Sequence, residues 1–386
     1  MLLLTEFVPV PPRFRKKQED GLLWLVEAHV QAERKKRGLP PESSEFLDDF
    51  RHRMTVGFRR FGCAPPRVLY RSHEHIDFNS FDWSAMEVFR LTDTPHGTGM
   101  KARMEAYQKG AKRAFSQWYD KALEPPAHLL HVSCTGYLSP SAAQECMEDK
   151  KWTDTTVTHL YHMGCYAAFP ALRVGHGLLK TGSPGRIDVA HTEFCTLHLN
   201  PSNHEPENMV MQSLFADGMI RYSLREESDY QAAVHGPALR LLALQEMIVP
   251  ESKDDMTWVL DDWGFQMTLS KNVPAKIGAA LPAFQERLFQ KAGMNVDEVQ
   301  NCHYAIHPGG PRIIDQVQDG LRLTDVQVAH SRDVLAQYGN MSSATLPHVW
   351  RSLAESGKIP SGTTIVSFAF GPGLTISGGV FRKVGS

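Results

Sequence analysis

The alternation of strand-like and helix-like segments limits what this chain can fold into more than any other sequence feature. The apolar stretch at 128–137 precedes a helical pattern, and β-forming residues at 155–165 stop at Gly164-Cys165 before another helical pattern. The same order returns from residue 264 to the end, where Gly-rich turns separate the segments. Strands that alternate with helices in this way are typical of α/β proteins.

The first sixty residues have a different pattern, because apolar residues are spaced there at three and four with basic residues on the other face. This spacing predicts helices. The charged stretch REESDYQ lies between the two alternating regions. We therefore predict two α/β halves, over residues 1–235 and 236–386.

Composition narrows the classes of partner. Lys and Arg number 41 against 43 Asp and Glu, so the net charge of -2 gives no support for a nucleic-acid surface. No apolar run approaches the roughly 18 residues of a membrane span. The N-terminal apolar stretch precedes its positive charges, the reverse of a secretion signal, and the six cysteines form no disulfide framework. We expect a cytoplasmic protein.

Cys165 is the first candidate catalytic residue, since it lies where a strand gives way to a helix. The positive end of a helix dipole stabilises a thiolate there. Free cysteines are, however, often buried and inert. The alternative of a zinc site rests on the spacing H-x2-H-x2-C of His159, His162 and Cys165. In a strand, positions 159 and 162 point to opposite faces, so these ligands do not converge, and we expect no metal.

Two further positions complete a site for acyl chemistry. His307 ends a strand immediately before Gly309 and Gly310, which allow a ligand to approach the backbone closely. Asn340 lies in a turn before a helix that we expect Ser342 and Ser343 to cap. Each residue alone is weak evidence. Together, a nucleophilic cysteine, a cationic partner and an amide donor suit a thioester-forming site.

At these positions the sequence resembles the type III polyketide synthases, the chalcone synthase-like branch of the thiolase superfamily. The resemblance runs from about residue 125 to the end. Its main segments are MGCYAAFPALR (163–173), IHPGGPRIIDQV (306–317), YGNMSSAT (338–345), FGPGLT (370–375), SLFADG (213–218) and GFQMTLSKNVP (264–274). The chain departs from the usual pattern at Ala168 and Phe169, at Ala369, and at Cys195 and His198.

The resemblance implies a thiolase-like, five-layered αβαβα fold made of two pseudo-duplicated halves, in a homodimer. It implies acyl-CoA and malonyl-CoA as substrates, with no cofactor, metal or carrier protein. Cys165 takes the starter acyl group, and His307 and Asn340 hold malonyl-CoA during decarboxylation. Repeated condensations then build a chain that cyclises, and small residues in the pocket favour an aliphatic starter and an alkylpyrone-type or alkylresorcinol-type product.

The resemblance also implies which residues surround the substrates. Phe215 and Phe265 stand at gatekeeper positions. The remaining cavity candidates are Cys134, Thr135, Ser139, Cys195 and His198. For the coenzyme A phosphates the candidates are Arg51, Arg53, Arg59 and Arg60, with Gly309 and Gly310 at the backbone.

Two other functions remain open at this point. A ketoacyl synthase III has the same three catalytic residue types, although a glutamine-alanine-asparagine run usually follows at the place of Pro308-Gly309-Gly310. The chain could also be an inactive thiolase-fold binding protein, since a fold does not establish an activity.

Overall fold

A computed structural model describes residues 1–40, 44–121, 124–182 and 185–385. In this part of the chain the strands are β1 (Leu2–Val10), β2 (Phe14–Lys17), β3 (Tyr70–His73), β4 (His128–Ser133), β5 (Thr156–Tyr161), β6 (Ile187–Phe194), β7 (Asp217–Glu226), β8 (Ala238–Ile248), β9 (Met256–Leu260), β10 (Phe265–Leu269), β11 (His303–Ile306), β12 (Thr364–Gly371) and β13 (Thr375–Val384). The α-helices are α1 (Gln18–Arg37), α2 (Ser44–Phe61), α3 (Met100–Tyr119), α4 (Ala142–Asp149), α5 (Ala168–Lys180), α6 (Pro206–Leu214), α7 (Ala232–His235), α8 (Val273–Ala292), α9 (Pro311–Leu321), α10 (Asp325–Tyr338) and α11 (Thr345–Ala354).

As far as the described residues show, a nine-stranded mixed sheet has the order β5-β4-β6-β7-β1-β8-β13-β12-β11. In one part, β4 runs parallel to β5 and β6, and β7 and β1 follow antiparallel. In the other part, β11 and β12 are parallel, and β13 and β8 follow antiparallel. The two parts meet where β1 pairs with β8 at Leu3–Arg240 and Leu4–Leu239. Each part therefore has parallel strands outside and antiparallel strands at the junction.

Three apolar clusters separate the layers. The first lies under α1, α2 and α3, against one face of the β4–β6 part, and the third lies between α8, α9 and the β11–β13 part. The second cluster contains α5 and α11, which contact strands of both parts of the sheet. The layer order is thus helices, the β4–β6 part of the sheet, the central helices, the β11–β13 part of the sheet, and helices again. This order agrees with the predicted α/β fold.

The strand β12 shows how the sequence produces these layers. Ile365 and Ala369 face the central helices, whereas Val366, Phe368 and Phe370 face α8 and α9. Successive side chains of a strand point to opposite faces, so a strand covered on both sides is apolar throughout. Apolar area removed from water is the main stabilising contribution to such a core.

The N-terminal sixty residues are partly different from the prediction. The helices α1 and α2 form as expected, but β1 and β2 precede them. Because β1 lies between β7 and β8 and is mostly buried, its residues form a short apolar run without period-two alternation. Such a run does not show its conformation by periodicity alone.

The division predicted after residue 235 falls between α7 and β8, and it stays a prediction. The helices of the described ranges include none that is both long and apolar enough to span a membrane.

Candidate active site

Cys165 lies in the turn between β5 and α5. The preceding Gly164 has a φ of 80°, in the left-handed region that favours glycine. A Cβ atom at this position would stand 2.6 Å from Cδ of Pro372. The terminal Gly-Pro-Gly loop therefore packs directly on the turn that carries the thiol, and a larger residue at 164 has no room.

His307 follows β11 and is fixed through its backbone. Its N–H donates to the carbonyl of Phe368 at 2.7 Å, and its own carbonyl accepts from the N–H of Gly309 at 2.8 Å. The imidazole is buried, and neither ring nitrogen has a hydrogen-bond partner among the described residues. Burial lowers the pKa of His307 to about 3. The neutral ring thus keeps one donor and one acceptor for a ligand.

Asn340 is held by backbone and side-chain bonds in the turn after α10. Its N–H donates to the carbonyl of Leu214, and its carbonyl accepts from the N–H of Ala216, each at 2.9 Å. Its side-chain Oδ1 accepts from the N–H of Ser342 at 2.9 Å. This bond fixes the orientation of the amide and leaves Nδ2, which makes a long bond of 3.4 Å to the carbonyl of Gly309, as the donor for a ligand.

These three residues line one outer pocket with a volume of about 440 Å³. The side chains that enclose it also include Phe215, Met256 and Met267. Gly309 and Gly310 belong to the same lining. The pocket can therefore present a thiol, an imidazole and an amide donor to one bound thioester.

A second, inner cavity of about 70 Å³ begins on the other side of Cys165. Cys165, Phe215, Met256 and Met267 line both spaces and so form the neck between them. Four of the residues predicted for the cavity line the inner one: Cys134, Thr135, Cys195 and His198. Ser139 is exposed beside Pro140, and the described lining of the two spaces does not include it.

The two predicted gatekeepers occupy different places. Phe215 lies at the neck, whereas Phe265 lines the inner cavity. The Phe265 ring stacks on His198, with centroids 4.4 Å apart, and the N–H of Phe265 donates to Nδ1 of His198 at 3.2 Å. The other ring nitrogen of His198 donates to the carbonyl of Thr135 at 2.8 Å. Burial lowers the pKa of His198 to about 3, so a neutral histidine joins the cavity wall to the β9–β10 hairpin.

The position of Cys165 does not favour the thiolate that the sequence predicts. The helix α5 begins at Ala168, three residues later, and Cys165 is buried. Burial raises the pKa of its thiol to about 12, and hydrogen bonding to Ser342 and Asn340 opposes this effect. Desolvation disfavours the charged form of any thiol. The resting cysteine and His307 are accordingly both neutral.

Cys134 belongs to a separate polar cluster next to Cys165. Its backbone N–H donates to the carboxyl group of Glu193, and its Sγ lies 2.9 Å from Oγ of Ser342. The same Ser342 oxygen is 3.8 Å from Sγ of Cys165. Burial and the Glu193 charge raise the pKa of Cys134 well above its usual value. Ser342 was predicted only as a helix cap, but α11 begins at Thr345 and Ser342 instead connects Asn340 to both thiols.

The arginines predicted to bind coenzyme A separate into two groups. Arg51 pairs with Glu27 and Asp48, and Arg53 pairs with Asp49. Arg60 lines the outer pocket, whose described lining includes none of the other three predicted arginines. Three basic residues that the sequence did not single out line it as well: Arg67, Lys271 and Arg312.

The histidines of the H-x2-H-x2-C spacing turn to different partners. Nε2 of His159 lies 2.8 Å from Oγ of Ser141, and Nε2 of His162 lies 2.8 Å from the carbonyl of Trp258. In the part of the chain that the structure covers, no group of three or more His, Cys, Asp or Glu side chains is placed to hold a metal ion.

Comparison with known proteins finds a matching family and two relatives of similar sequence. The family "Chalcone and stilbene synthases, C-terminal domain" matches residues 240–385. A 1,3,6,8-tetrahydroxynaphthalene synthase of Streptomyces coelicolor is 26% identical over 74% of this chain and 76% of its own length. A probable polyketide synthase of Dictyostelium discoideum is 29% identical over 72% of this chain. The matched region covers 9% of that longer protein.

Solved structures show the same fold. PKS-I from the brown alga Ectocarpus siliculosus matches with a TM-score of 0.81 at 21% identity, over 99% of this chain and 98% of that one. The Streptomyces coelicolor tetrahydroxynaphthalene synthase matches with a TM-score of 0.76 at 21% identity, over 98% of both chains. The chain is therefore similar in sequence to type III polyketide synthases and shares their fold, and its residues 240–385 match the chalcone and stilbene synthase C-terminal domain family.

Proposed function

We propose that this protein is a malonyl-CoA-dependent acyltransferase that extends an acyl-CoA starter by decarboxylative Claisen condensation. One observation supports the proposal above others. A buried cysteine, an unpartnered buried histidine and an oriented asparagine amide line the same pocket, next to a second cavity that begins at the cysteine. Coenzyme A takes part only as the thiol of the substrates, and the proposed reaction uses no separate cofactor, metal or carrier protein.

In the first step the Cys165 thiol attacks the thioester carbon of the starter. His307 accepts the thiol proton as the sulfur becomes a nucleophile, which removes the cost of a bare thiolate in a buried site. The new C–S bond replaces the bond to coenzyme A, and the coenzyme thiol leaves with the proton from His307. The acyl group then occupies the neck and the inner cavity.

In the second step malonyl-CoA occupies the outer pocket. An N–H of His307 and the Nδ2 group of Asn340 donate to its thioester oxygen. Loss of CO2 leaves an electron pair that is delocalised as an enolate, and these two donors stabilise the charge on oxygen. The carbanion attacks the acyl carbon on Cys165, a C–C bond forms, and the Cys165 sulfur leaves. Transfer of the extended chain back to Cys165 allows another round.

The product class follows from the inner cavity. Cys134, Thr135 and Cys195 are small, while Trp258 and Phe265 supply apolar walls. We propose an aliphatic starter and few extensions, with cyclisation to an alkylpyrone-type or alkylresorcinol-type product. Product analysis by mass spectrometry after incubation with malonyl-CoA and a series of fatty acyl-CoA starters tests this, and failure to form any cyclic polyketide contradicts it.

The roles of His307 and Asn340 are tested by separate measurements of decarboxylation and acylation. We expect His307→Ala and Asn340→Ala to slow decarboxylation of malonyl-CoA by about 10²–10³, the usual effect of losing one donor to a developing oxyanion. Asn340→Ala should still acylate Cys165. His303→Ala, in the strand β11 that precedes His307 and outside the described lining of both spaces, is the control. Decarboxylation at the parent rate in either variant refutes the role.

We also propose that Arg60, Arg67, Lys271 and Arg312 bind the coenzyme A phosphates at the outer pocket. Phosphate binding by Arg and Lys is charge-assisted and strong in a partly enclosed site. Arg60→Gln and Lys271→Gln should each raise the KM for acyl-CoA and leave kcat nearly unchanged. Arg53→Gln, on the same helix but paired with Asp49, should have no such effect. Equal KM changes in the test and control variants contradict the assignment.

We further propose a homodimer that works in the cytoplasm. The edge strand β5 supports the first part, because it lies at the end of the sheet and its residues are half-buried to exposed. An unpaired strand edge is a natural pairing surface. Light scattering that gives a monomer mass at micromolar concentration contradicts the dimer, and cell fractionation tests the location.

A further inference from the structure

The inner cavity ends in a group of carboxamide side chains, from Asn200, Asn203, Asn208 and Gln212. These residues belong to α6 and to the loop before it. Asn200 also lines a surface depression that does not include Cys165. The cavity therefore extends from the nucleophile at the neck to the carboxamides on the side near that depression.

The hydrogen bonds of these residues show which atoms remain available. Nδ2 of Asn208 donates to the carbonyls of Asn200, at 3.1 Å, and Asn203, at 2.6 Å. Both of its N–H bonds are thus used, which fixes its orientation. Its Oδ1 accepts no hydrogen bond from the described residues, although Asn208 as a whole is only 8% exposed. Because this oxygen is not among the fully buried polar atoms that lack a partner, it is accessible and can accept a hydrogen bond from a ligand.

The neighbouring amides leave donors. Oδ1 of Asn200 accepts from the N–H of Ser202 at 3.1 Å and from its hydroxyl at 2.8 Å, so its Nδ2 remains. Oδ1 of Asn203 accepts from the N–H of Glu205 at 3.0 Å, so its Nδ2 remains as well. Both polar atoms of the Gln212 amide are already hydrogen-bonded. Its Nε2 donates to the carbonyl of Asn200 at 2.7 Å, and its Oε1 lies 3.1 Å from Nε2 of His29. This end of the cavity offers one acceptor and two donor groups.

The charge of the cavity limits the ligand further. The described residues that line it include no Asp, Glu, Lys or Arg. A carboxylate or ammonium group would lose its water there without an ionic partner, which is strongly unfavourable. A hydroxyl group is neutral and both donates and accepts one hydrogen bond. Between this end and Cys165 the walls are apolar, from residues such as Met211, Trp258 and Phe265.

We propose that the inner cavity selects a starter acyl group with an apolar carbon chain and a hydroxyl group at its far end. This inference rests on the proposed function, because it assumes that the starter is bound to Cys165. Asn208 accepts the hydroxyl proton, and Nδ2 of Asn200 or Asn203 donates to the hydroxyl oxygen. Specificity arises because a plain alkyl end does not make the hydrogen bonds that the hydroxyl group makes with these polar atoms of the cavity lining.

The test is a competition between matched starters. The protein receives equimolar pairs of hexanoyl-CoA and 6-hydroxyhexanoyl-CoA, and the corresponding eight- and ten-carbon pairs, for a few seconds. Intact-protein mass spectrometry then measures the two adducts on Cys165. We expect the hydroxylated partner to be preferred by at least about tenfold at one chain length, the effect of one good hydrogen bond. In Asn208→Leu this preference should disappear, while acylation by the plain partner persists.

Two controls make the result decisive. Asn79→Leu changes an exposed asparagine outside the cavity lining and should keep the preference. Asn208→Ser shortens the side chain and replaces Asn208→Leu if that variant does not fold, with the same expected loss. Preference for the plain partner at every length, or a preference that survives both Asn208 changes, overturns the inference alone. Absence of any acyl adduct overturns the proposed function together with it.

Discussion

Burial acts in opposite directions on the two residues that must exchange a proton. It raises the pKa of Cys165 to about 12 and lowers that of His307 to about 3. Both shifts favour the neutral pair, since each charged form loses its hydration. An ion pair becomes favourable only when the thiolate and the imidazolium stabilise each other. In the proposed reaction His307 therefore lowers the thiol pKa by pairing with the thiolate, in addition to the hydrogen bonds to Ser342 and Asn340.

We predict that His307→Ala shifts the alkylation of Cys165 to higher pH. Without the imidazole no cation opposes the effect of burial, and the hydrogen bonds to Ser342 and Asn340 alone leave the thiol pKa high, so the reactive thiolate appears only in strongly alkaline solution. The measurement is the rate of iodoacetamide modification of the Cys165 peptide from pH 6 to 10. At pH 7.5 we expect a rate at least about tenfold below that of the parent. Superimposable pH profiles in the two proteins contradict the pairing.

We predict that Cys165, and not Cys134, carries the acyl group. Cys134 is next to the buried Glu193, whose negative charge opposes a thiolate, whereas Cys165 lines both the outer pocket and the inner cavity. Cys165→Ala should lose the acyl adduct, and Cys134→Ser should keep it. Intact-protein mass spectrometry after an acyl-CoA pulse decides between them. An adduct present in Cys165→Ala and missing in Cys134→Ser reverses the assignment.

At this scale the sequence located the three central residues but not their surroundings. Cys165, His307 and Asn340 stand in short segments with glycine at fixed places, which a sequence displays directly. The role of Met256 and Met267 at the neck depends on how the β9–β10 hairpin packs, and methionine has no local signature. Ser139 was misplaced because it follows a lining segment but turns outward at the next bend.

At the scale of elements, Arg71 in β3 connects the end of α6 to the catalytic asparagine. Its guanidinium donates to the carbonyls of Gln212, at 2.6 Å, and Phe215, at 3.0 Å. Carbonyl groups at a helix C-terminus lack partners within the helix and favour a nearby cation. The neighbouring carbonyl of Leu214 accepts the N–H of Asn340. One buried arginine thus fixes the segment that carries both Phe215 and the contact with Asn340.

We predict that Arg71→Met lowers the free energy of unfolding by roughly 3–5 kcal/mol, because several buried acceptors lose their donor. Arg71→Lys keeps the charge, so its loss of unfolding free energy should be smaller. Urea unfolding monitored by circular dichroism measures both losses. The exposed Arg15→Met is the control, with an expected loss of about 1 kcal/mol or less. In folded Arg71→Lys we expect malonyl-CoA decarboxylation to fall more than Cys165 acylation. Equal losses in the two activities contradict the role of Arg71 in positioning Asn340.

Several elements after residue 125 could be predicted, because glycine and other small residues lie in the turns after strands such as β4, β5 and β12, and a helical pattern follows β4 and β5. The start of α4 even shows a capping box between Ser141 and Gln144. The strand β1 could not be predicted, since its partners β7 and β8 are more than 200 residues away. Pairing of that kind is a property of the whole fold and leaves no local pattern.

At the scale of the whole molecule, buried neutral histidines are unusually numerous. Burial lowers the pKa to about 3 or 4 for His29, His75, His131, His191, His198, His307 and His348. The unfolded chain binds protons on these residues below about pH 6.5, and the folded chain does not. Their contribution to stability is therefore complete above that pH and is lost as the pH falls. Burial raises the pKa of Asp217 to about 7 and also raises the pKa of Glu193, and these two carboxyl groups act in the opposite direction.

We predict that the protein loses stability steeply in mild acid. Each such histidine costs about 1 kcal/mol between pH 6.5 and 5.5, so several together approach the whole stability of a typical domain. Urea unfolding at pH 7.5, 6.5 and 5.5 measures the loss. His131→Gln should reduce the pH dependence by one histidine's share. A midpoint that is constant from pH 7.5 to 5.5 contradicts the prediction.

The neck between the outer pocket and the inner cavity has a consequence for steady-state kinetics. In the proposed reaction the starter thioester and malonyl-CoA both use the outer pocket that Cys165 lines, so the first coenzyme must depart before the second enters. Such an order gives a ping-pong rate law, with parallel lines in double-reciprocal plots. It also makes malonyl-CoA a competitor of the starter for the free enzyme. Turnover should consequently pass through a maximum as the malonyl-CoA concentration rises, and additional starter should restore it.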